Sequence, residues 1–187
     1  MRFLVILAFL VYALPATAAP SENELSKTHS ISAEMSAIFD ADQAARKAPK
    51  IDWAKVHDED QVRRLRTQAL LDSGQLNSGD DFYHAAFVFQ HGDLPEDCLK
   101  AHALAVIAAA RGKSEAAWIA AATLDRYLQR IGQPQIYGTQ YQRHGDGGWT
   151  QEPYRSDLLS DPLRKATGVP SIQQQQAELR EMTSKSP

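Results

Sequence analysis

The chain has 187 residues, with 20 Lys and Arg against 23 Asp and Glu, and it contains a single cysteine. This length favours one domain, and the formal net charge of −3 gives the chain no electrostatic reason to bind nucleic acid or an anionic membrane. One cysteine excludes an internal disulfide, so the core alone must stabilise the fold.

The first 18 residues have the order of a secretory signal peptide. Arg2 supplies a positive charge, residues 3–14 form an unbroken apolar run, and Ala16-Thr17-Ala18 offers small residues for cleavage. A membrane-spanning helix needs about 20 apolar residues, so this run is too short to be an anchor. We therefore predict cleavage after Ala18 and a mature protein that is periplasmic or secreted, without a membrane partner.

The mature chain is predicted to begin with a flexible segment and to continue as one helical domain. Residues 19–31 are polar, and the domain extends over residues 32–183. Apolar residues at helical spacing predict a first helix from about Ser32 to Lys47 and a second from about His57 to Leu71.

Three further helices are predicted over residues 80–90, 95–111 and 114–131. A capping residue or a proline stands at the start of each, and a glycine follows each end. The last two are rich in alanine, and small faces let helix backbones approach closely. We therefore place these two helices at the centre of the domain, with short connections that make successive helices antiparallel neighbours.

The segment from Gln133 to Pro153 has no helical period, and an irregular segment of this length is often functional when it is ordered. Asp161-Pro162 opens a short helix closed by Gly168, and Ser171 caps a last helix. No stretch alternates with a period of two, so no sheet is expected. The fold prediction is therefore all-α, an antiparallel array of about five or six helices with the irregular segment packed across it.

Metal and cofactor signatures are not found in the sequence. His84 and His91 lie on one helix face, but two turns separate them by about 10.5 Å, which is too far for two ligands of one metal. We therefore predict no metal site and no cofactor. The sequence also lacks the common motifs of hydrolases, nucleotide-binding loops and zinc proteases.

Polar residues at the end of one predicted helix, on a later helix and in the irregular segment form the candidate site. Antiparallel packing can bring them together at one end of the domain or along one seam, where a histidine, an arginine and neutral hydrogen-bonding groups suit recognition of a polar ligand. The predicted ligand-binding residues are Gln90, His91, Asp125, Arg126, Tyr137 and Gln140.

His91 and Asp125 have two interpretations. As an acid–base pair, the carboxylate would fix the imidazole tautomer, while Arg126 would bind a carboxylate or phosphate of the substrate. As a structural contact, a buried polar pair would anchor the long irregular segment onto the helices. Because no recognised catalytic arrangement is present, the structural interpretation is favoured for this pair.

The stretch from about Asp40 to Leu179 resembles a family of uncharacterised bacterial proteins with a domain of unknown function. The motifs that carry the resemblance are Gln90-His91, Asp125-Arg126, Gly132-Gln133-Pro134-Gln135-Ile136-Tyr137-Gly138-Thr139-Gln140, Asp161-Pro162-Leu163-Arg164 and Gly168-Val169-Pro170. The resemblance implies that the polar set is a family property, and it implies no activity. A glycine-rich stretch, His144 to Gly148, departs from the family pattern.

The sequence thus leads to two functional hypotheses. The first is an exported binding module for a small polar ligand or a peptide, held in a groove lined by the six candidate residues. The second is an enzyme that uses a His–Asp pair for acid–base chemistry on a small anionic substrate. The first is preferred because the sequence contains no evident nucleophile.

Overall fold

The computed structural model describes residues 21–143 and 148–185. In chain order their elements are α1 (Glu22–Ala45), α2 (Trp53–Asp72), α3 (Gly79–Phe89), α4 (Pro95–Ala110), α5 (Ala116–Arg130), β1 (Gln142–Arg143), β2 (Trp149–Thr150), α6 (Asp161–Ala166) and α7 (Ile172–Ser184). The helices pack together, which confirms the predicted all-α fold. The predicted signal peptide, residues 1–18, lies outside the described residues, as do residues 144–147 of the glycine-rich stretch.

The first helix begins earlier than its predicted start near Ser32. Ser21 accepts a hydrogen bond from the backbone N–H of Glu24, and the Glu24 carboxylate accepts one from the backbone N–H of Ser21. This reciprocal capping satisfies N–H groups that have no partner inside the helix. As a result α1 begins at Glu22, and most of the segment predicted to be flexible, residues 19–31, is helical.

The second helix also begins before its predicted start at His57. The side chain of Asp52 accepts a hydrogen bond from the backbone N–H of Lys55 at 3.2 Å, which is the geometry of an N-terminal cap. Helix α2 therefore begins at Trp53, four residues before the predicted start.

The alanine-rich helices form the centre of the domain, as predicted. α4 packs most extensively against α5 on one side and α3 on the other. Small side chains allow this close approach, and Cys98 is fully buried among them as a free thiol. The buried alanines of the two helices are Ala101, Ala105, Ala108, Ala116, Ala121 and Ala122.

An aromatic cluster joins α1 to α3. The ring of Phe39 stacks on the ring of His84 with centroids 4.3 Å apart, and meets the ring of Phe87 edge-on at 5.4 Å. Burial lowers the pKa of His84, because the charged imidazolium loses its hydration. His84 therefore acts as a neutral aromatic side chain of this cluster.

The irregular segment after α5 contains a minimal sheet that the sequence pattern did not predict. Strands β1 and β2 pair antiparallel, with Gln142 opposite Thr150 and Arg143 opposite Trp149. Two-residue strands are too short to show the alternation by which strands are recognised. None of the described helices combines the length and apolarity needed to cross a membrane.

Two leucines of α2 test which face of this helix packs against the core. Leu70 is 1% exposed and belongs to the core, whereas Leu65 is 72% exposed. We expect Leu70→Ala to lower the free energy of unfolding by about 2–5 kcal/mol. The same substitution at Leu65 should change it by less than about 0.5 kcal/mol. Urea unfolding of the two variants measures both values, and equal losses would contradict the packing of α2.

Candidate functional site

The carboxylate of Asp125 organises the segment that follows α5. Asp125 is fully buried, and its Oδ1 accepts hydrogen bonds from the backbone N–H groups of Ile136 at 2.8 Å and Tyr137 at 3.0 Å. Its Oδ2 accepts from the backbone N–H of Thr139 at 2.9 Å and from the Thr139 hydroxyl at 2.8 Å. Four donors surround one carboxylate, so Asp125 is committed to holding the backbone of this segment.

Buried glutamine side chains form hydrogen bonds with further backbone groups of the irregular segment. The Gln135 amide donates to the carbonyls of Gln140 and Gln151, while its oxygen accepts from the backbone N–H of Gln140 at 3.0 Å. Gln151 donates in turn to the carbonyl of Gly138 at 2.5 Å. A primary amide both donates and accepts, so it can replace the hydrogen bonds that a sheet or helix would supply.

The backbone carbonyl of Tyr137 accepts three hydrogen bonds from side chains that follow it in the chain. It accepts from Arg164 Nη1 at 2.6 Å, from the Gln175 amide at 2.9 Å and from the Tyr154 hydroxyl at 3.0 Å. Arg164 is completely buried, and it also donates to the carbonyl of Ser156 at 3.0 Å. These bonds connect α6 and α7 to the segment, and they leave Arg164 inaccessible to a ligand.

Gly138 stands where only glycine fits. Its φ of +80° lies in the left-handed region, which side chains with a Cβ rarely adopt. A Cβ there would also overlap the side chains of Gln175 and Tyr154. The Tyr137-Gly138-Thr139-Gln140 motif is therefore a structural element whose glycine permits close packing against α7.

Arg126, the neighbour of Asp125 on α5, faces a different environment. Its Nε donates to the Gln140 side-chain oxygen at 3.2 Å, and its Nη1 donates to the backbone carbonyl of Gln90 at 3.0 Å. These bonds bring the end of α3, the middle of α5 and the irregular segment to one point. Within the described residues, Nη2 makes no hydrogen bond.

The charge of Arg126 has no carboxylate to balance it. The Arg126 side chain is partly buried, and no Asp or Glu of residues 21–143 and 148–185 forms an ion pair with it. Burial lowers the pKa of Arg126, and the nearby cations Arg130 and Arg46 lower it further. Buried charges in proteins are normally paired, so this guanidinium is an unusual feature of the domain.

His91 pairs with Asp42 of α1, and the sequence did not predict this contact. The imidazole Nδ1 lies 3.0 Å from Asp42 Oδ1, and the Asp42 carboxylate is buried, with 1% of its side chain exposed. An acceptor at this position holds the proton on Nδ1. Nε2 is thereby left as the free acceptor of the ring, and it makes no hydrogen bond in the part of the chain that the structure describes.

Arg46 also holds the carboxylate of Asp42. Its Nη1 donates to Asp42 Oδ1 at 3.0 Å, and its Nη2 donates to Asp60 Oδ2 at 2.5 Å. Gln43 donates to the other oxygen of Asp42 at 2.8 Å. The carboxylate that orients His91 is therefore itself held by α1 and α2, and the pair is part of the helical body rather than of the irregular segment.

The predicted site residues divide into two groups. Asp125 and Gln140 belong to the scaffold, and the predicted contact between His91 and Asp125 is wrong because each is bonded elsewhere. Arg126 of α5 meets the end of α3 at the backbone carbonyl of Gln90, which His91 follows in the chain. The Gln90 side chain is 7% exposed and its amide makes no hydrogen bond to the described residues.

Tyr137 makes its contacts within the Asp125 scaffold. Its backbone N–H donates to Asp125, and the charged groups that act on its hydroxyl are Asp125 and Arg164. Burial raises the pKa of this hydroxyl, so it is a neutral phenol at physiological pH. Within the described residues, the Tyr137 side chain makes no hydrogen bond to Arg126, Gln90 or His91.

Sequence reasoning missed several residues on which this region depends. Asp42 and Arg46 lie four residues apart on α1, a spacing typical of an exposed ion pair, and nothing in the pattern indicates that Asp42 is buried. Gln175 lies in a run of four glutamines that predicts an exposed helix face. The resemblance did include Gln135 and Arg164, which offered a signal for these two.

No group of three or more His, Cys, Asp or Glu side chains among the described residues is arranged to hold a metal ion. Comparison with known protein families, with curated proteins and with solved structures finds no match to this chain. The resemblance to a bacterial family therefore stays a prediction, and the function has to be argued from the geometry.

Replacing Asp125 tests whether it is scaffold or site. In Asp125→Asn, one oxygen becomes an amide nitrogen that cannot accept the bonds from Thr139 or from Ile136 and Tyr137. We expect the free energy of unfolding to fall by about 1–3 kcal/mol. Asp72→Asn is the matched control, because this exposed carboxylate accepts only from Gln68 and should change stability by less than about 0.5 kcal/mol.

Chemical unfolding of both variants supplies the measurement. Residues that are kept for function often cost stability, so that their removal is neutral or stabilising. An Asp125→Asn variant as stable as the wild type would contradict the scaffold role and return Asp125 to the candidate site.

Proposed function

We propose that this protein is a binding module for a small anionic ligand, a carboxylate or a phosphate, that is held by Arg126 beside Gln90 and His91. This narrows the small polar ligand or peptide expected from the sequence to an anion. The observation that carries the proposal is a partly buried guanidinium, held by two hydrogen bonds, without a carboxylate partner among the described residues.

The hydrogen-bond inventory of Arg126 supports an anion over a neutral ligand. A guanidinium has five N–H groups, of which Nε and one on Nη1 are engaged. The remaining N–H of Nη1 and the two of Nη2 form a fork that suits two oxygens of one anion. Because Gln140 and the Gln90 carbonyl fix the plane of the group, the fork is oriented before a ligand arrives, which lowers the entropic cost of binding.

Two further polar groups belong to the end of α3, where the Gln90 carbonyl accepts a hydrogen bond from Arg126. The Gln90 amide lacks a hydrogen bond to the described residues, and His91 presents Nε2 as a free acceptor because its Nδ1 faces Asp42. An amide and an imidazole beside a guanidinium offer both donors and acceptors. They therefore suit a ligand that carries a hydroxyl or an amino group next to its acidic group.

We also propose that the chain is exported to the periplasm or the extracellular space. The support is the order of residues 2–18, with a basic residue, an apolar run and a small-residue cleavage site. An exported binding module would meet small solutes directly. N-terminal sequencing of the chain purified from its cell of origin tests this proposal, since an N-terminus at Ala19 would support it and an N-terminus at Met1 would contradict it.

Arg126→Gln tests the binding proposal. The variant removes the charge and keeps a hydrogen-bonding amide, so the dissociation constant for inorganic phosphate or succinate should rise on the order of tenfold or more. Arg66→Gln is the matched control, because Arg66 is an exposed guanidinium paired with Glu34. Isothermal titration calorimetry measures both, with circular dichroism to establish that the variants are folded.

Binding of neither anion to the wild type, or equal losses in both variants, would contradict the proposal. If Arg126→Gln were folded and bound the anions as tightly as the wild type, the ligand would not be held by Arg126.

A second candidate function is acid–base catalysis on an anionic substrate. The specific observation in its favour is the contact between His91 and the buried Asp42, which fixes the tautomer and frees Nε2. An imidazole held in this way can take a proton from a substrate or from water. It stands second because the described residues place no nucleophile beside His91.

His91→Gln tests the catalytic candidate. Hydrolysis of 4-nitrophenyl phosphate and of 4-nitrophenyl hemisuccinate should fall by about a hundredfold or more, which is the usual contribution of a general base. Asp42→Asn should give a smaller loss, because the ring stays in place with a weaker acceptor. His57→Gln is the control, since His57 is an exposed histidine on α2. Absence of turnover by the wild type, or activity that His91→Gln retains, would remove this candidate.

A further inference from the structure

The outer face of α4 is apolar and has no partner within the described residues. Four exposed residues form a strip along it, here called the α4 strip, with Leu99 41% and Val106 48% exposed. The opposite face of the same helix supplies buried core residues. The α4 strip consists of Leu99, Ala103, Val106 and Ala110.

The spacing of the α4 strip is that of a coiled-coil seam. Its residues follow one another at intervals of four, three and four positions, which is the alternation that brings one apolar line of a helix against another helix. A face exposed to solvent alone would normally be polar. The strip therefore has the residue pattern of a helix face that packs against a second helix.

The order of large and small residues in the strip is self-complementary in one direction. If two copies of α4 run antiparallel about the point between residues 104 and 105, Leu99 of each copy lies opposite Ala110 of the other. Ala103 then lies opposite Val106. Each large side chain thus meets a small one, which allows close packing. A parallel pair would set Leu99 against Leu99 and Ala103 against Ala103, leaving a gap between the helices.

The charges at the two ends of the strip favour the same direction. Glu96 lies in the first turn and forms no ion pair with the described residues. At the other end, Arg111 stacks on the ring of Phe82 at 4.8 Å, donates to the backbone carbonyl of Asn77, and has no carboxylate partner in the described part of the chain. An antiparallel pair brings Glu96 of one copy towards Arg111 of the other. A parallel pair would bring like charges together, which is unfavourable.

We propose that the α4 strip binds a second copy of this chain, with the two α4 helices antiparallel about a twofold axis. This self-association is independent of the ligand proposed at Arg126. A helix of 16 residues is only about 24 Å long, so one helix pair buries an area at the small end of specific interfaces. The dimer is therefore expected to dissociate in the micromolar range.

Sedimentation equilibrium of the purified chain, with the N-terminus determined by intact mass, tests the proposal. The wild type should show a monomer–dimer equilibrium, and Val106→Glu should raise the dissociation constant roughly tenfold or more by placing two carboxylates in an apolar contact. Val62→Glu is the matched control, because Val62 is an exposed valine of a different helix, α2. It should leave the equilibrium unchanged.

A double variant tests the direction of the helices. In Ala103→Glu/Val106→Lys, an antiparallel pair places each new carboxylate opposite a new ammonium, so the chain should dimerise better than Val106→Glu does. A parallel pair would place like charges opposite one another. A wild type that stays monomeric up to about 1 mM, an equal effect of Val62→Glu, or a double variant no more dimeric than Val106→Glu would each overturn the proposal.

Discussion

A carboxylate that is taken out of water needs donors, and the four hydrogen bonds to Asp125 meet that need with backbone groups of the irregular segment. The same bonds give the N–H groups of this segment an acceptor, which they need because the segment is buried without helix or sheet. The amides of Gln135, Gln151 and Gln175 complete this exchange. These hydrogen bonds therefore hold the irregular segment against the helices.

Asp125 and Arg126 are adjacent on α5 and have opposite roles. The scaffold satisfies Asp125 completely, whereas it orients Arg126 through Gln140 and leaves part of its hydrogen-bonding capacity and all of its charge unmatched by the described residues. An unpaired charge that is partly withdrawn from water costs stability, and the proposed anionic ligand would offset that cost. The scaffold residue Asp125 and the proposed binding residue Arg126 are thus neighbours in one turn of α5.

The sequence predicted the helical class and the central position of α4 and α5, because apolar spacing, capping residues and alanine content are local properties. Its choice of Arg126, Gln90 and His91 as ligand-binding residues stays a prediction. It could not predict that His91 meets Asp42, since that contact joins residues 49 positions apart and depends on how α1 packs against α3. Nor could it separate Asp125 from Arg126, because the pattern shows both as polar residues on one helix and only the packing shows which one the backbone surrounds.

The proposed function depends most directly on whether the Arg126 guanidinium binds an anion. The side-chain Nε–Hε resonance of Arg126 in the nitrogen-15 labelled protein can be followed while inorganic phosphate is added, with the Arg66 resonance as an internal comparison. The account predicts a saturable shift of the Arg126 resonance at phosphate concentrations that leave Arg66 unchanged. An Arg126 resonance that does not move, or that moves in proportion to Arg66, would contradict it.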